Sequence, residues 1–323
     1  MISTRLTERH GIEHPVIQAP MALAAGGRLA AAVSRAGGLG MIGGGYGDRD
    51  WLTAELAAAG NQPVGCGFIT WALRKQPELL EMALDHAPRA LFLSFDDPEP
   101  FVSTIRERGV PLICQIQTRA DAERAVDVGA DIVVAQGAEA GGHGEKRATM
   151  TLVPEVADLI AAKAPNTLLC AAGGIADGRG MAAALMLGAD GVVIGSRFWA
   201  SDEALVHPNM LDAAMAASGD DTIRSSVADV ARKLDWPERF TMRMLRNPFI
   251  EQWHDDMPGL LAVAEVEAEK WRVAWQAGDM SVATGIVGEA AGLMQRVEPA
   301  ATLLTRLIAE TEERLAAAPR FTD

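Results

Sequence analysis

Short apolar runs alternate with longer segments of helical periodicity between Val16 and Ser196. Each run is too short for a helix, and most runs are bounded by Gly or Pro. Because the runs are continuously apolar instead of alternating, they indicate strands that are buried on both faces, as in a parallel sheet covered by helices. The sequence therefore predicts about eight strands, over 16–20, 39–43, 64–69, 90–95, 111–116, 131–135, 168–172 and 191–195.

The segments between these runs have the periodicity of helices. Eight parallel strands joined by seven helical crossovers can close into a TIM (β/α)8 barrel, which is the fold class that we predict. The phrase Gly-Ala-Asp occurs at 129–131 and again at 188–190, each time where a helix should end and a buried strand begin. The predicted helices cover 28–36, 50–59, 77–86, 99–108, 119–128, 153–164 and 180–187.

After Trp199 the pattern predicts helices only. We expect the last of them to close the barrel, so that residues 1–199 and 296–323 form the barrel and residues 200–295 form a helical insertion after the eighth strand. A segment in that position lies over the catalytic end of a barrel, and we expect it to act as a lid. The predicted helices cover 210–217, 222–234, 239–245, 260–275 and 302–315.

The composition is typical of a well-buried globular protein. Hydrophobic residues make up 49% and charged residues 22% of the 323 residues. One barrel of about 250 residues plus an insertion accounts for this length. The formal net charge of -14 repels phosphate backbones and anionic lipid, so we expect neither a nucleic-acid nor a membrane partner.

The N-terminus and the cysteines are typical of a cytoplasmic protein. The first ten residues carry charges throughout and lack an apolar signal segment, and no later stretch offers the about 18 apolar residues of a spanning helix. Cys66, Cys114 and Cys170 each lie in an apolar run, where a buried thiol behaves as a small hydrophobic group. We therefore expect a reduced, soluble, cytoplasmic protein without a disulfide framework.

Candidate ligand-binding residues follow the predicted strands, because the loops after the strands build the site of a barrel. Small, amide and glycine residues dominate these loops, which allows a flat ligand to approach the backbone. The loops after the seventh and eighth strands, 171–178 and 193–198, bear the glycines that bind phosphate through backbone N–H groups in many barrels. Alternatively, these glycines only make tight turns. The candidate phosphate ligands are Gly173, Gly174, Gly195 and Ser196.

Two glutamines share one face of the fifth predicted strand, since side chains two residues apart point the same way. Gln115 and Gln117 would place two amides on the inner face of an apolar strand, where they need partners. The polar edge of a flavin ring would satisfy them. The alternative is that they pair with internal backbone groups or water.

His143 is the candidate acid–base residue. It lies in Gln-Gly-Ala-Glu-Ala-Gly-Gly-His-Gly, residues 136–144, directly after the sixth predicted strand. A histidine between glycines can reach into a cavity, and an ordinary imidazole pKa near 6.5 suits proton transfer at neutral pH. A purely structural histidine is the alternative. Glu139 is interpreted as a helix cap or charge partner instead of a catalytic group.

Other features favour structural interpretations. The G-x-G-x-x-G match at 38–43 lies across a strand instead of between a strand and a helix, which is the wrong context for a dinucleotide site. Tyr46 is interpreted as a loop aromatic, and Trp253, Trp271 and Trp275 as packing residues, one of which could line the inner surface of the lid. The motifs of zinc hydrolases, serine hydrolases and P-loop proteins do not occur, so we expect no metal site.

Five motifs in order resemble the nitronate monooxygenase family, formerly called 2-nitropropane dioxygenases. This family belongs to a superfamily of FMN-dependent barrels that also contains flavin-type enoyl reductases and NADH:quinone reductases. Each motif alone is weak, whereas the ordered set is specific to the superfamily. The motifs are Gln-Ala-Pro-Met at 18–21, Ala-Gly-Gly-Leu-Gly at 36–40, Glu-Ala-Gly-Gly-His at 139–143, Ala-Gly-Gly-Ile-Ala-Asp-Gly at 172–178 and Gly-Ser-Arg-Phe at 195–198.

The resemblance implies that FMN lies across the barrel mouth and that His143 is the catalytic base. His143 would remove an α-proton from a neutral nitroalkane or position a nitronate, which is then oxidised with O2 to a carbonyl compound and nitrite. The small-molecule substrate and O2 are thus the expected partners, and a homodimer is the candidate assembly. The candidate cofactor-binding residues are Ala19, Pro20, Met21, Gln115, Gln117, Gly141, Gly142, Ala172, Gly173, Gly174, Gly195 and Ser196.

Two positions depart from the family pattern. Gly67 stands in Gly-Cys-Gly-Phe, where the family usually has an asparagine near the flavin. Glu289 stands where an uncharged polar residue is expected. These departures leave the substrate open. The alternatives are an NAD(P)H-dependent, FMN-containing reductase of a quinone or enoyl thioester, and a flavin-free phosphate-binding barrel lyase or isomerase.

Overall fold

Eight short strands of apolar and small residues pair in parallel in one sheet of the computed structural model, which describes residues 2–321. Their order in the sheet is β1-β9-β8-β6-β5-β4-β3-β2, and β7 (Gly142–Gly144) belongs to a second sheet. Each predicted strand is confirmed; the predicted ends of the barrel segments at Met1 and Asp323 lie outside the described residues. The sheet strands are β1 (Val16–Gln18), β2 (Met41–Gly45), β3 (Gly65–Ile69), β4 (Leu91–Ser94), β5 (Leu112–Ile116), β6 (Ile132–Gln136), β8 (Leu168–Ala172) and β9 (Gly191–Ile194).

The barrel closes between β1 and β2. Ile17 and Leu39 form a parallel bridge, and the N–H of Gln18 donates to the carbonyl of Leu39 over 2.9 Å. Beyond this bridge, the side chain of Gln18 forms the hydrogen bonds that connect β1 to β2. Its Oε1 accepts the N–H of Met41 (3.0 Å), and its Nε2 donates to the carbonyl of Met41 (3.1 Å). A buried amide thus satisfies backbone groups that a three-residue strand leaves unpaired.

Helices surround the sheet as predicted, and the last long helix completes the ring by packing between the seventh and first crossover helices. Asp48, Thr118 and Asp177 cap three of them by accepting N–H groups of the first turn. The crossover helices are α2 (Gly27–Arg35), α3 (Arg49–Ala59), α5 (Glu78–Asp85), α6 (Glu99–Glu107), α7 (Arg119–Asp127), α8 (Thr149–Lys163) and α9 (Gly178–Met186), and the closing helix is α16 (Ala300–Ala316); the shorter ones are α1 (Arg5–His10), α4 (Thr70–Leu73) and α10 (Ser196–Trp199).

The repeated Gly-Ala-Asp phrase has the same structure in both copies. Gly129 (φ +80°) and Gly188 (φ +100°) end α7 and α9 in the left-handed region that glycine tolerates. Asp131 then accepts the N–H of the first residue of β5 over 2.8 Å, and Asp190 accepts an N–H of β8 over 2.9 Å. Each aspartate therefore satisfies a backbone donor at the start of the neighbouring strand.

Two apolar layers hold the barrel together. The outer layer lies between the sheet and the helices, and the inner layer fills the barrel with side chains such as Met41, Phe92 and Ile113. Leu6 of α1 is fully buried in the inner layer and closes the amino-terminal end of the barrel. The interior of the barrel is thus a packed core.

The insertion contains strands as well as helices. The helix predicted over 222–234 is confirmed only over 227–231, and the helix predicted over 239–245 was wrong, because 222–225 and 241–245 are strands. These two strands pair antiparallel with each other, and the second also pairs antiparallel with β7, in a three-stranded sheet. In the second of them the buried Met242 and Met244 alternate with the half-buried Arg243, which is the period of a strand. The elements are α11 (Pro208–Ala216), β10 (Thr222–Ser225), α12 (Val227–Ala231), β11 (Thr241–Leu245), α13 (Pro248–Trp253), α14 (Met257–Ala262) and α15 (Ala264–Ala277), with 3-10 turns at Gly219–Asp221, Glu289–Leu293 and Ala318–Phe321.

The insertion has its own apolar core, which includes Trp199, Phe249 and Trp271. Trp271 packs on Phe249 with ring centroids 5.4 Å apart, as expected for a packing residue. None of the helices within residues 2–321 has both the length and the apolar content that crossing a membrane requires.

We predict that Gln18→Ala destabilises the barrel by about 2–4 kcal/mol, because it leaves two buried backbone groups of Met41 without partners. The free energy of unfolding in urea measures this change. Gln276→Ala, on the exposed face of α15, is the control and should change it by less than about 0.5 kcal/mol. An equally small change in Gln18→Ala would contradict the role of this side chain in barrel closure.

Candidate active site

A cavity of about 230 Å³ opens at the carboxyl ends of the barrel strands, beneath the insertion. Barrel loops form its floor, and residues such as Arg232, Trp236 and Met242 cover it from the insertion. The structure brings all but one of the predicted site residues to its wall. These are Ala19, Pro20, Met21, Gln115, Gly141, Gly142, His143, Ala172, Gly173, Gly174, Gly195 and Ser196.

Gln117 lies behind the cavity wall. It is buried and donates from Nε2 to Oε1 of Gln136 over 2.8 Å, and Gln115 donates to the same oxygen over 3.2 Å. Gln136 in turn donates from Nε2 to the carbonyl of His143 over 3.1 Å. Gln117 thus pairs with a side-chain amide, a partner that the sequence analysis did not consider, while Gln115 is shared between Gln136 and the cavity.

The floor depends on glycines that let the loop after β1 approach the sheet. A Cβ atom on Gly67 would lie 2.4 Å from Cβ of Pro20, and a Cβ on Gly43 would lie 2.4 Å from the carbonyl oxygen of Met21. Any larger residue at either position would push this loop into the cavity. The close packing of Pro20 on β3 therefore explains why position 67 is a glycine in this chain, where the family pattern has an asparagine.

The glycine pair after β8 lies in the left-handed region, with φ of +103° at Gly173 and +72° at Gly174. A Cβ on Gly173 would lie 2.9 Å from both the carbonyl oxygen of Gly137 and Oγ1 of Thr149, so backbone here packs directly on its neighbours. Gly195 has more room, since its nearest contact would be Ala19 at 3.7 Å. The chain thus presents bare backbone at this side of the cavity.

Glu139 caps a helix, which was one of the two interpretations of this residue. Its carboxylate accepts the N–H of Thr149 (3.0 Å) and the hydroxyl of Thr149 (2.9 Å), at the first turn of α8. An acidic group in that position also interacts favourably with the helix dipole. The carboxylate therefore fixes the loop after β6 to the helix that follows it.

His143 is held by the insertion instead of by the barrel sheet. Its strand β7 pairs antiparallel with β11, with His143 opposite Met242. The turn before it packs backbone on backbone, because a Cβ on Gly141 would lie 2.5 Å from the carbonyl carbon of Val287. Gly142, at φ +75°, then redirects the chain. The two glycines before His143 are thus required by one close approach and one turn.

The imidazole of His143 is paired with a buried carboxylate. Its Nε2 lies 2.9 Å from Oδ1 and 3.0 Å from Oδ2 of Asp229, and the two side chains are only 6% and 4% exposed. Burial lowers the pKa of His143, and the Asp229 carboxylate opposes this by raising it. The charges of Arg232 and Arg224 lower the pKa further. The imidazole is consequently neutral at pH 7.

Aromatic rings surround the imidazole. Trp236 stacks on it with centroids 3.4 Å apart and planes 8° from parallel, and donates from Nε1 to the hydroxyl of Tyr46 over 3.2 Å. Phe95 packs edge-on against both rings and has a φ of +67°, which is unusual for a residue with a side chain. Burial raises the pKa of Tyr46, so its hydroxyl stays protonated.

Two arginines of the insertion sheet bind the loop that precedes His143. Arg224 donates to the carbonyl of Ala138 from Nε (3.2 Å) and Nη2 (3.0 Å), and Arg243 donates to the same carbonyl from Nε over 2.9 Å. Burial and the charge of Arg243 lower the pKa of Arg224 to about 10. Glu289, the second residue that departs from the family pattern, forms an ion pair of 2.8 Å with Arg243. It therefore helps to hold the arginine that binds the loop before His143.

Sequence reasoning missed Asp229, Trp236 and Phe95. A single carboxylate in the apolar segment Val-Ala-Asp-Val-Ala, residues 227–231, was the available signal for Asp229. Trp275 lines the cavity, as expected for one of the three insertion tryptophans. Within residues 2–321 no group of three or more His, Cys, Asp or Glu side chains is arranged to hold a metal ion.

Comparison with known proteins identifies relatives along almost the whole chain. The family model described as nitronate monooxygenase matches residues 3–66 and 70–310. The chain is 32% identical to a nitronate monooxygenase of Neurospora crassa, over 93% of this chain and 89% of that protein. It is 36% identical to nitronate monooxygenase npaC of Metarhizium robertsii, over 90% and 88%. The solved structure of FabK from Thermotoga maritima is similar with a TM-score of 0.85 at 31% identity, covering 99% of this chain and 100% of FabK.

Proposed function

Because this chain belongs to the nitronate monooxygenase family, we propose that it is an FMN-dependent enzyme that oxidises alkyl nitronates with O2 to a carbonyl compound and nitrite. The position of His143 carries this proposal: a neutral, buried imidazole reaches a largely apolar cavity whose floor is bare backbone. Family membership supports the coarser statement that the chain is a monooxygenase.

The residues at the cavity fit a phosphorylated flat cofactor. Gly173 and Gly174 expose backbone in conformations that few other residues adopt. Oγ of Ser196 accepts the N–H of Gly288 over 2.9 Å, which leaves its hydroxyl hydrogen available to a phosphate oxygen. We propose that these groups and Gly195 bind the FMN phosphate, while Ala19, Pro20 and Met21 support the ring.

Further members of the proposed cofactor set lie along the same wall. Gln115 would use the hydrogen-bonding groups of its amide that Gln136 does not occupy to bind the polar edge of the ring. Gly141, Gly142 and Ala172 line the same cavity and would contact the cofactor through backbone and a methyl group. Gln117 contributes indirectly, because it holds Gln136 in place. Bound FMN supplies the redox chemistry of the reaction.

The residues of the protein carry out the proton transfer. With a neutral nitroalkane, His143 removes the α-proton, and the electron pair of the broken C–H bond remains on the substrate as the nitronate. With a nitronate already ionised, His143 only orients the substrate. The aromatic residues around Trp236 and the proposed lid over 200–295 exclude water, which strengthens the interactions of the developing charges.

We predict that a nitronate, and not NADPH, reduces the bound flavin when the protein is mixed under anaerobic conditions. Stopped-flow absorbance in the flavin bands measures this. Rapid bleaching by NADPH would replace the proposal with the reductase alternative. A purified protein that stays colourless after reconstitution with FMN would instead favour the flavin-free barrel.

We predict that His143→Ala lowers turnover of a neutral nitroalkane by about 10²–10⁴-fold and lowers turnover of the preformed nitronate much less, because the anion no longer needs a base. Steady-state kcat/KM on both substrates measures the difference. His86→Ala, at the exposed end of α5, is the control and should leave both values unchanged. Equal losses on both substrates would refute the role of base.

We predict that Gly174→Asp weakens FMN binding by at least about tenfold, through bulk and through the repulsion of a carboxylate and a phosphate. The ratio of flavin absorbance to protein absorbance measures occupancy. Gly60→Asp is the matched control, because Gly60 has a similar φ of +62° but no neighbour within 4 Å of the added Cβ. Full occupancy in Gly174→Asp would remove this loop from the phosphate site.

A further inference from the structure

We infer that Asp229 is a positioning residue that keeps the proton of the neutral imidazole on Nε2, so that Nδ1 of His143 receives the substrate proton. The assignment to substrate rests on the proposed function, whereas the position of the imidazole proton does not. A role for Asp229 in the reaction follows from neither the motifs nor the loops after the barrel strands, because this residue lies in the insertion.

The direction of the hydrogen bond is settled by the chemistry of its two ends. Both oxygens of Asp229 are within 3.0 Å of Nε2. The two oxygens lie almost equally far from this one nitrogen, which is the geometry of a single N–H shared between two carboxylate acceptors, so Nε2 carries the hydrogen. A neutral imidazole has one N–H, and its other nitrogen then holds a lone pair. The base of this site is therefore Nδ1.

Packing restricts rotation of the ring about its Cβ–Cγ bond, which would move Nε2 away from Asp229. The face-to-face contact with Trp236 at 3.4 Å covers one side of the imidazole, and Phe95 packs edge-on with centroids 6.2 Å apart. The backbone of His143 is held at the same time by β11 and by the amide of Gln136. Asp229 thus acts on a ring whose orientation is already restricted, and it determines which nitrogen is basic.

The same carboxylate stabilises the product of proton transfer. When Nδ1 takes the α-proton, the C–H bond breaks, its electron pair stays on the substrate, and His143 becomes an imidazolium beside the carboxylate of Asp229. In a site from which water is excluded this attraction is much stronger than in bulk water. The imidazolium releases its proton to water before the next turnover.

The charged groups that face His143 predict a pH effect with a definite sign. Arg232 at the end of α12 and Arg224 on β10 both lower the pKa of the imidazole, and Asp229 is the neighbour that raises it. Tyr46, the other titratable group of this aromatic cluster, stays neutral because burial raises its pKa. Loss of the Asp229 charge should therefore move the acidic limb of the activity profile to lower pH.

The position of the imidazole proton can be tested without any turnover. Long-range 1H–15N spectra of the flavin-loaded protein, labelled with 15N-histidine and measured at pH 8, report each ring nitrogen; His143→Gln identifies the His143 signals. We expect a protonated Nε2 and an unprotonated Nδ1. Signals of an Nδ1–H tautomer would overturn the inference, whatever reaction the enzyme catalyses.

The role in proton transfer is tested with Asp229→Asn, which keeps the size of the side chain and removes its charge. We expect kcat/KM for a neutral nitroalkane to fall by at least about tenfold and its acidic limb to move to lower pH, with flavin content and nitronate turnover retained. Asp212→Asn, on the exposed side of α11, is the control. Equal loss on both substrates with an unmoved limb would reduce Asp229 to a structural residue.

The outcomes separate this inference from the proposed function. A wild-type protein that is inactive on both nitronate and nitroalkane would defeat the proposed function, while the spectra would still decide the tautomer. Activity on both substrates with an Nδ1–H tautomer would leave the function standing and overturn the role given to Asp229.

Discussion

The pairing of β7 with β11 is the interaction on which the site depends. The barrel supplies the floor of the cavity, but the strand that carries His143 leaves the barrel sheet and joins the insertion. His143 is fixed by this register, and Asp229 meets its imidazole from α12, which directly follows β10 of the same antiparallel sheet. A barrel without its insertion would lose the position of this imidazole as well as its cover.

The floor and the roof of the cavity are made of different chemical groups. The floor is backbone, kept bare by glycines whose Cβ atoms would collide with Pro20, Met21 or Gly137. The roof is made of side chains, among them Trp236 and Phe95, packed on the imidazole. A floor of this kind admits a flat group without selecting its substituents, so selection among substrates belongs to the roof. Variation in the insertion can therefore change the substrate and leave the cofactor surface intact.

The sequence predicts those structural elements that depend on local or repeated residue patterns. Continuous apolar runs give the eight barrel strands because parallel strands are buried on both faces, and Gly129 and Gly188 mark helix ends through their own backbone freedom. The helices expected over 222–225 and 239–245 were wrong because β11 is stabilised by pairing with β7, about 100 residues earlier in the chain, and β10 pairs with β11. Asp229 was missed for the same reason, since its partner is 86 positions away.

A buried carboxylate is costly, and this cost bears on why Asp229 is present. Removing an ionised group from water costs several kcal/mol unless hydrogen bonds compensate, and a neutral imidazole offers Asp229 only one strong donor. An apolar residue of similar size would pack in this core at lower cost, because the surrounding side chains of α12 are Val and Ala. Stability therefore does not account for the pair. The arrangement is instead that of a site in which a charge develops on the imidazole, because only then does the carboxylate gain a full counter-charge.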